Sequence, residues 1–171
     1  MFESLYGDDG DQPKDAFEEV LRQTTPRAFV TPALLVSNFV YFAAMALAGV
    51  SVLSPTGEQL IAAGANFGAL TLNGQWLRLL LSMFIHIGWI HLAFNMWCLW
   101  VLGRVAERAY GNGVFFALYM TSGLAGSIES VLWNPATVSA GASGAVFGVA
   151  GALVAFYALE GRGVPDEFLR E

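Results

Sequence analysis

Four long stretches without a single Asp, Glu, Lys or Arg most constrain what this chain can fold into. They cover residues 28–57, 79–103, 109–128 and 130–159. A helix needs roughly 20 mostly apolar residues to cross about 30 Å of hydrocarbon, so each stretch is long enough to span a bilayer. Only 13% of the residues are charged and 56% are hydrophobic, whereas soluble domains have roughly 25% charged residues. The sequence therefore predicts an all-α fold, a polytopic transmembrane helix bundle.

Turn signals divide the chain into a polar tail, four predicted spans and a charged end. The tail covers residues 1–30 and contains a short amphipathic helix that stops near Pro26. The membrane domain covers 31–160 with spans at about 33–53, 83–103, 114–133 and 143–159, and a charged segment follows at 161–171. Basic residues flank the spans mainly on one side. We therefore expect an integral multi-pass protein of a bacterial cytoplasmic membrane, with the N-terminus and the C-terminus of this chain cytoplasmic.

Charge and cysteine content exclude several classes of protein. The net charge of −6 comes largely from the acidic first twenty residues, and no basic patch indicates a nucleic-acid partner. Cys98 is the one cysteine, so no disulfide can form within the chain. The two histidines, His86 and His91, would diverge on one helix and have no nearby Cys, Asp or Glu in sequence. We expect no metal and no cofactor, and we expect the lipid bilayer as surroundings.

Both histidines and an asparagine lie in the apolar stretch FIHIGWIHLAFNM. His91 and Asn95 are four residues apart, so on a helix they share one face, whereas His86 is turned well away from them. An unpaired buried polar group costs about 1–3 kcal/mol, so these side chains should face the bundle interior or a wet cavity. Two interpretations remain open for His91 and Asn95, namely polar contacts between helices and one functional site.

The stretch AGASGAVFG contains Ser143 between two glycines, Gly141 and Gly144. The preceding turn signals predict that Ser143 begins the fourth span. Backbone N–H groups at a helix N-terminus would stabilise a serine alkoxide and the oxyanion that it creates. Gly144 and Gly148 also form a GxxxG pattern, which is typical of close helix packing. The serine is therefore either a small packing residue or a nucleophile at the mouth of a helix.

Taken together, these motifs resemble the rhomboid family of intramembrane serine proteases. The similarity lies in GQWLRLLLSMFIHIGWIHLAFNMWCLWVLGRVAERAYG and in GASGAVFGVAGAL, and it covers roughly residues 30–160. The resemblance implies that Ser143 is the nucleophile. It also implies an oxyanion hole formed by the side chains of His91 and Asn95 with the backbone N–H of Ser143. Gly141 and Gly144 would be the glycines of the serine motif.

The resemblance assigns further residues to secondary roles. Phe147 matches an aromatic position that packs on the catalytic histidine of the family. Apart from the resemblance, His86 stands near the outer end of its span, where a histidine can bond loop backbone, and it is a secondary candidate for the catalytic base. Glu107 and Arg108 match a polar cluster that we expect to be structural. The first loop of the family carries a Trp-Arg signature, which Trp76 and Arg78 resemble although Leu77 separates them.

The implied catalytic base is missing from this sequence. Rhomboids use a Ser-His dyad whose histidine lies on a sixth helix, and this chain contains four of the six core helices. The resemblance thus implies a serine endopeptidase that cleaves transmembrane protein substrates, without the base within these residues. We expect a fragment of such a protease, partly because Gly144, Gly148 and Ala152 would lack a packing partner in four helices. The alternative is a naturally short, inactive relative that binds membrane clients.

Overall fold

The structure, a computed structural model, describes Gln23 and residues 25–160. The predicted amphipathic helix, apart from Gln23, and the segment 161–171 lie outside the described residues. The described helices are α1 Val30–Leu47, α2 Gly57–Ala62, α3 Gly68–Thr71, α4 Leu77–Leu81, α5 Trp89–Tyr110, α6 Asn112–Trp133 and α7 Ser143–Glu160. A single 3-10 turn, Ser82–Phe84, continues α4. The all-α prediction is confirmed over this part of the chain, where the sole β contact is one isolated bridge.

The four long helices form an up-and-down bundle with two distinct ends. At one end the side-chain amide of Asn112 donates to the carbonyl of Arg27 at 2.9 Å, which brings the start of α1 beside the junction of α5 and α6. We call it the Glu107 end. At the other end, the N–H of Trp89 donates to the carbonyl of Val52 at 2.8 Å. Since α7 begins at this second end, we call it the Ser143 end.

The helical boundaries differ from the predicted spans at the Ser143 end. α1 ends at Leu47, six residues before the predicted limit, and α5 begins only at Trp89. The segment Leu77–Phe84 is bent by 89° from α5. Gly88 makes this break with a φ of +82°, and a Cβ there would lie 2.7 Å from the carbonyl oxygen of Leu53. A glycine at a tight backbone contact, which hydropathy does not register, therefore divides the predicted second span.

Length and apolar composition support transmembrane helices to different degrees. α1 and α6 are each long and apolar enough to cross a membrane, and α5 with Leu77–Phe84 would be a third span if the bent pair is counted as one. The apolar part of α7 within the described residues is Ser143–Ala158. The apolar helices support an integral membrane protein, and the number of four spans stays a prediction.

Small residues let α7 lie directly against α6. A Cβ on Gly144 would lie 3.4 Å from the Cα of Gly126, and a Cβ on Gly148 would overlap the side chain of Ser122. Ala152, further along, accepts a hydrogen bond from the hydroxyl of Tyr110 on its carbonyl at 2.6 Å. The expectation that this stripe would lack a partner among four helices is therefore wrong, because α6 and α5 already cover it. Hydropathy could not reveal which helix would meet the stripe.

A buried carboxylate holds α1 at the Glu107 end. Glu107 is fully buried, and its two carboxylate oxygens accept from the backbone N–H groups of Val30 at 2.5 Å and Thr31 at 2.8 Å. No side chain of the preceding residue caps this helix, so a side chain of α5 satisfies the free N–H groups of α1. This geometry supports a structural role for Glu107, as expected from the sequence.

The first loop, residues 48–84, folds over the Ser143 end instead of extending into solvent. The Nη1 amino group of Arg78 donates to the carbonyls of Ile61 and Ala65, at 2.8 and 2.9 Å. The hydroxyl of Tyr41 in α1 donates to the carbonyl of Ala63 at 2.8 Å. Arg78 thus bonds to one carbonyl in the last turn of α2 and to one just after the helix. Through Tyr41, α1 anchors the loop onto the bundle.

Candidate active site

Ser143 begins α7 at an end of the bundle that is covered by loops. Its side chain is half-buried, whereas the preceding Ala142 is fully buried. The first intrahelical bond of α7 runs from the N–H of Val146 to the carbonyl of Ala142 at 2.9 Å. The N–H groups of the first turn have no partner within the helix, and they carry a partial positive charge. The start of α7 is therefore suited to hold an anion or a developing oxyanion.

His91 lies against the turn that leads into Ser143. Gly141 has a φ of +129°, and a Cβ on it would stand 2.7 Å from Cε1 and 3.2 Å from Nε2 of the His91 ring. Only a residue without a side chain can take this backbone conformation at this distance from the ring. Gly141 therefore allows the imidazole and the serine turn to approach each other.

One hydrogen bond indicates which nitrogen of His91 carries its proton. The backbone N–H of Ile87 donates to Nδ1 of His91 at 3.3 Å. In neutral imidazole an accepting Nδ1 requires the proton on Nε2, and Nε2 is the nitrogen that lies near Gly141. Asn95, one turn further along α5, is buried, and its Nδ2 donates to the carbonyl of His91 at 2.9 Å. The second N–H of that amide remains a donor beside His91.

His86 lies beside His91, contrary to the expectation that it points well away. The two ring centroids are 5.3 Å apart and the ring planes are tilted by 57°. The helical-wheel interpretation fails because Gly88 interrupts the helix between the histidines. His86 is fully buried, with Nδ1 3.3 Å from the carbonyl oxygen of Phe84. Its Nε2 has no hydrogen-bond partner among the described residues, and no three His, Cys, Asp or Glu side chains cluster there as metal ligands would.

Gly144 and Phe147 lie outside the group of residues just described. Gly144 faces Gly126 in α6, so it serves helix packing. Phe147, one turn after Ser143, is 77% exposed on the outside of α7. The structure thus groups Ser143, Gly141, His91, Asn95 and His86 at one end of the bundle. Gly144 lies on the face of α7 that packs against α6, and Phe147 lies on the exposed face.

The segment 134–142 precedes Ser143, the candidate nucleophile, and we call it the nucleophile loop for that reason. It is held by the first loop. The N–H of Gly68 donates to the carbonyl of Pro135 at 3.0 Å, and the N–H of Gly141 donates to the carbonyl of Ser82 at 2.9 Å. Between these contacts lies the isolated bridge of Asn66 with Ser139. The sequence interpretation missed Asn66 and Ser82. An amide in the apolar stretch GANFGAL was the available signal, because a buried amide needs partners.

Comparison with known proteins adds family information to this geometry. The family model described as Rhomboid domain matches residues 73–165, more than half of the 171 residues. The chain is 47% identical over 109 residues to "Rhomboid protease GluP" of Bacillus subtilis (strain 168), which covers 64% of this chain and 21% of that protein. It is 35% identical over 144 residues to "Rhomboid protease AarA" of Providencia stuartii, covering 75% of this chain and 50% of that protein.

These relatives are longer than the chain. It spans half of the length of the Providencia protein and about a fifth of the Bacillus protein. A third match is "Rhomboid-like protease 5" of Toxoplasma gondii, 40% identical over 101 residues, which is 54% of this chain and 12% of that protein. No solved structure matches the chain significantly.

Proposed function

Because the chain belongs to the rhomboid family, as its motifs predicted, we propose that it carries the nucleophile and oxyanion-binding groups of an intramembrane serine endopeptidase. The family and the apolar helices identify an integral membrane protein. Transmembrane proteins are the proposed substrates. One observation carries the proposal: the His91 ring lies against Gly141, two residues before Ser143 at the start of α7. A serine, an imidazole and a helix N-terminus at one place suit acyl transfer.

In the proposed reaction the hydroxyl oxygen of Ser143 attacks a peptide carbonyl of the substrate. The carbonyl oxygen becomes an oxyanion, which Nε2–H of His91, the Asn95 amide and the backbone N–H of Ser143 would stabilise. The proton of the Ser143 hydroxyl passes to a general base, which gives it to the amine nitrogen as the C–N bond breaks. The amine leaves, and an acyl-enzyme ester remains on Ser143. Water then hydrolyses the ester and regenerates the hydroxyl. The donor state of His91 supports its role, because Nδ1 already accepts from Ile87 and Nε2 therefore holds the proton.

We propose that the general base is a histidine other than the two in this sequence. A base must accept the proton of the serine through a free ring nitrogen within about 2.6–3.2 Å. The Nδ1 lone pair of His91 is engaged by Ile87, and the ring of His86 is fully buried, with its centroid 5.3 Å from that of His91. Neither ring is arranged as a base for Ser143. His86 would instead support the position of the His91 ring.

We further propose that the Ser143 end faces away from the cytoplasm. Arg27, Arg104 and Arg108 lie toward the Glu107 end, and the positive-inside rule places such residues on the cytoplasmic side. Single cysteines introduced in a Cys98→Ala background at Ser54 and at Gly113 would test this orientation in intact cells. A membrane-impermeant thiol reagent should label the cysteine at 54 and not the one at 113. The reverse pattern would overturn the orientation.

A fluorophosphonate probe tests the nucleophile directly. The intact protein in membranes should be labelled, Ser143→Ala should not, and the matched control Ser37→Ala should be labelled like the wild type. Ser37 is exposed in α1, and its hydroxyl bonds only within that helix. Equal labelling of wild type and Ser143→Ala would exclude Ser143 as the nucleophile. A wild type that binds a transmembrane client and resists the probe would favour an inactive, client-binding relative.

Substitutions in the oxyanion-binding groups test the remaining roles. Loss of one preorganised donor lowers kcat by about 10²–10³-fold in serine proteases. We expect His91→Ala and Asn95→Ala each to lower the rate of substrate cleavage in this range, with little change in KM. Cleavage of a transmembrane substrate in proteoliposomes measures both constants. Unchanged kcat in either variant would remove that residue from the proposed oxyanion hole.

A further inference from the structure

We propose that Asn66, in the first loop, is a positioning residue that holds the nucleophile loop and thereby sets the place of Ser143. This inference rests on the proposed function in so far as it concerns catalysis. Asn66 lies 77 residues before Ser143 in sequence. Its side chain and its backbone both reach the elements from which the serine turn is built.

Asn66 takes part in four hydrogen bonds and has 0% of its surface exposed. Its Nδ2 donates to the carbonyl of Ser127 in α6 at 2.7 Å, and its Oδ1 accepts from the hydroxyl of Thr71 at 2.8 Å. Its backbone N–H donates to the carbonyl of Ser139 at 3.0 Å, and its carbonyl accepts from the N–H of Ser139 at 2.9 Å. The residue thus joins the first loop, α6 and the nucleophile loop at one buried point.

A second connection closes the network around the serine turn. The hydroxyls of Ser82 and Ser127 are 3.1 Å apart, and the carbonyl of Ser82 accepts from the N–H of Gly141 at 2.9 Å. Ser127 is therefore tied to the nucleophile loop twice, through Asn66 to Ser139 and through Ser82 to Gly141. Both tie points lie within four residues of Ser143. A shift of Asn66 would move the loop from which α7 starts.

The amide of Asn66 has no simple replacement in this buried environment. Without it, the hydroxyl of Thr71 would lose its buried acceptor, and the carbonyl of Ser127 would lose the one donor shown to reach it from outside its helix. Buried polar groups are normally paired. The backbone bridge to Ser139 would remain as two bonds without side-chain support. In enzymes a displacement of about 1 Å at the reacting atoms can lower the rate by about 10²-fold. The expected effect of losing Asn66 is therefore on kcat, since the residue itself touches no substrate.

Hydrogen exchange tests the positioning role without reference to activity. In the intact protein in lipid nanodiscs, Asn66→Ala should raise exchange in peptides that cover the nucleophile loop, while α1 keeps its protection. Asn73→Ala is the matched control, because Asn73 is an exposed amide in the same loop and donates only to the nearby carbonyl of Ala69. The proposal would be overturned if hydrogen exchange of the nucleophile loop were equal in Asn66→Ala and Asn73→Ala.

A milder pair of variants keeps the test valid if Asn66→Ala fails to fold. Thr71→Val removes the hydroxyl that donates to Asn66 at nearly constant shape, and Thr71→Ser retains it. Faster exchange of the nucleophile loop in Thr71→Val, with rescue in Thr71→Ser, supports the proposal. Identical exchange in the valine and serine variants would contradict it.

The fluorophosphonate labelling rate connects the position of the loop to chemistry. Asn66→Ala should be labelled at least 10-fold more slowly than the wild type, and Asn73→Ala at the wild-type rate. A wild type without labelling would overturn the proposed function, while the exchange experiment would still decide whether Asn66 holds the loop. Normal labelling of Asn66→Ala, together with faster loop exchange, would overturn its role in placing Ser143.

Discussion

The two ends of the bundle satisfy their buried polar groups in different ways. At the Glu107 end the carboxylate of Glu107 accepts directly from two N–H groups of α1. The amide of Asn112 donates to the carbonyl of Arg27, just before α1. At the Ser143 end, glycines leave room for rings and loops, and the buried amide of Asn66 bonds to Thr71 in the first loop and to Ser127 in α6. One end is closed by direct contacts between helices, whereas the other is assembled from loops around the half-buried Ser143.

This difference separates residues that hold the fold from residues that hold the site. Substitutions at the Glu107 end should lower stability with little specific effect on chemistry. Substitutions at the Ser143 end should affect chemistry more than stability. Each variant below is paired with a control that tests this division.

The largest effect on stability should follow the loss of the carboxylate of Glu107. Glu107→Ala leaves the N–H groups of Val30 and Thr31 without their acceptors, and two hydrogen bonds to a charged group contribute about 3 kcal/mol or more. Glu107→Gln retains one acceptor and should lose less. Unfolding in mixed micelles gives the free energies, with the exposed Glu129→Gln as a control. A Glu107→Ala variant as stable as the control would mean that the carboxylate does not hold α1.

Gly141→Ala should affect both stability and chemistry. The positive φ costs about 1–3 kcal/mol for a residue with a side chain, and the new methyl group would displace the His91 ring. We expect fluorophosphonate labelling of Ser143 to slow at least 10-fold. Gly74→Ala is the matched control, because Gly74 also has a positive φ and has no atom within 4 Å of its Cβ position. If labelling slows equally in both variants, backbone strain alone explains the effect and displacement of the His91 ring does not.

A methyl group at Gly148 should push α7 away from α6. The Cβ would overlap the side chain of Ser122, including its Cβ, so a rotation of the hydroxyl cannot relieve the contact. Overpacking of this kind costs about 1 kcal/mol or more. Gly151→Ala on the same helix meets nothing within 4 Å and should not destabilise the protein. Thermal unfolding in detergent compares the two, and equal transition temperatures would argue against the close contact of α6 with α7.

The smallest effect should follow Tyr110→Phe, which removes one hydrogen bond between helices. The Tyr110 hydroxyl donates to the carbonyl of Ala152, and such a bond contributes about 0.5–1.5 kcal/mol. The edge contact of the ring with Phe156 can persist. Thr121→Val is a control whose hydroxyl bonds only within its own helix. The free energy of unfolding should be lower for Tyr110→Phe than for Thr121→Val. A Tyr110→Phe variant more stable than Thr121→Val would contradict this order.

Much of the candidate site could be predicted from local sequence patterns. The spacing of His91 and Asn95 and the glycines around Ser143 are local features, and the uncharged stretches indicated the long helices. The position of His86 beside His91 could not be predicted, because the sequence analysis assumed one helix through both histidines and the helix does not continue through Gly88. Asn66 was missed for a related reason. Its partners are backbone groups far along the chain, and such bonds leave no pattern in side-chain sequence.

The sequence by itself determined the all-α class, the family and the residue types of the candidate site, because hydropathy, helical spacing and short motifs act over a few residues. Only the tertiary structure decided that α6 covers the small-residue stripe of α7, that the two imidazoles meet, and that the first loop holds the turn before Ser143. These contacts depend on where glycines with positive φ redirect the chain and on how closely backbones then approach. Both are set by the packing of distant segments.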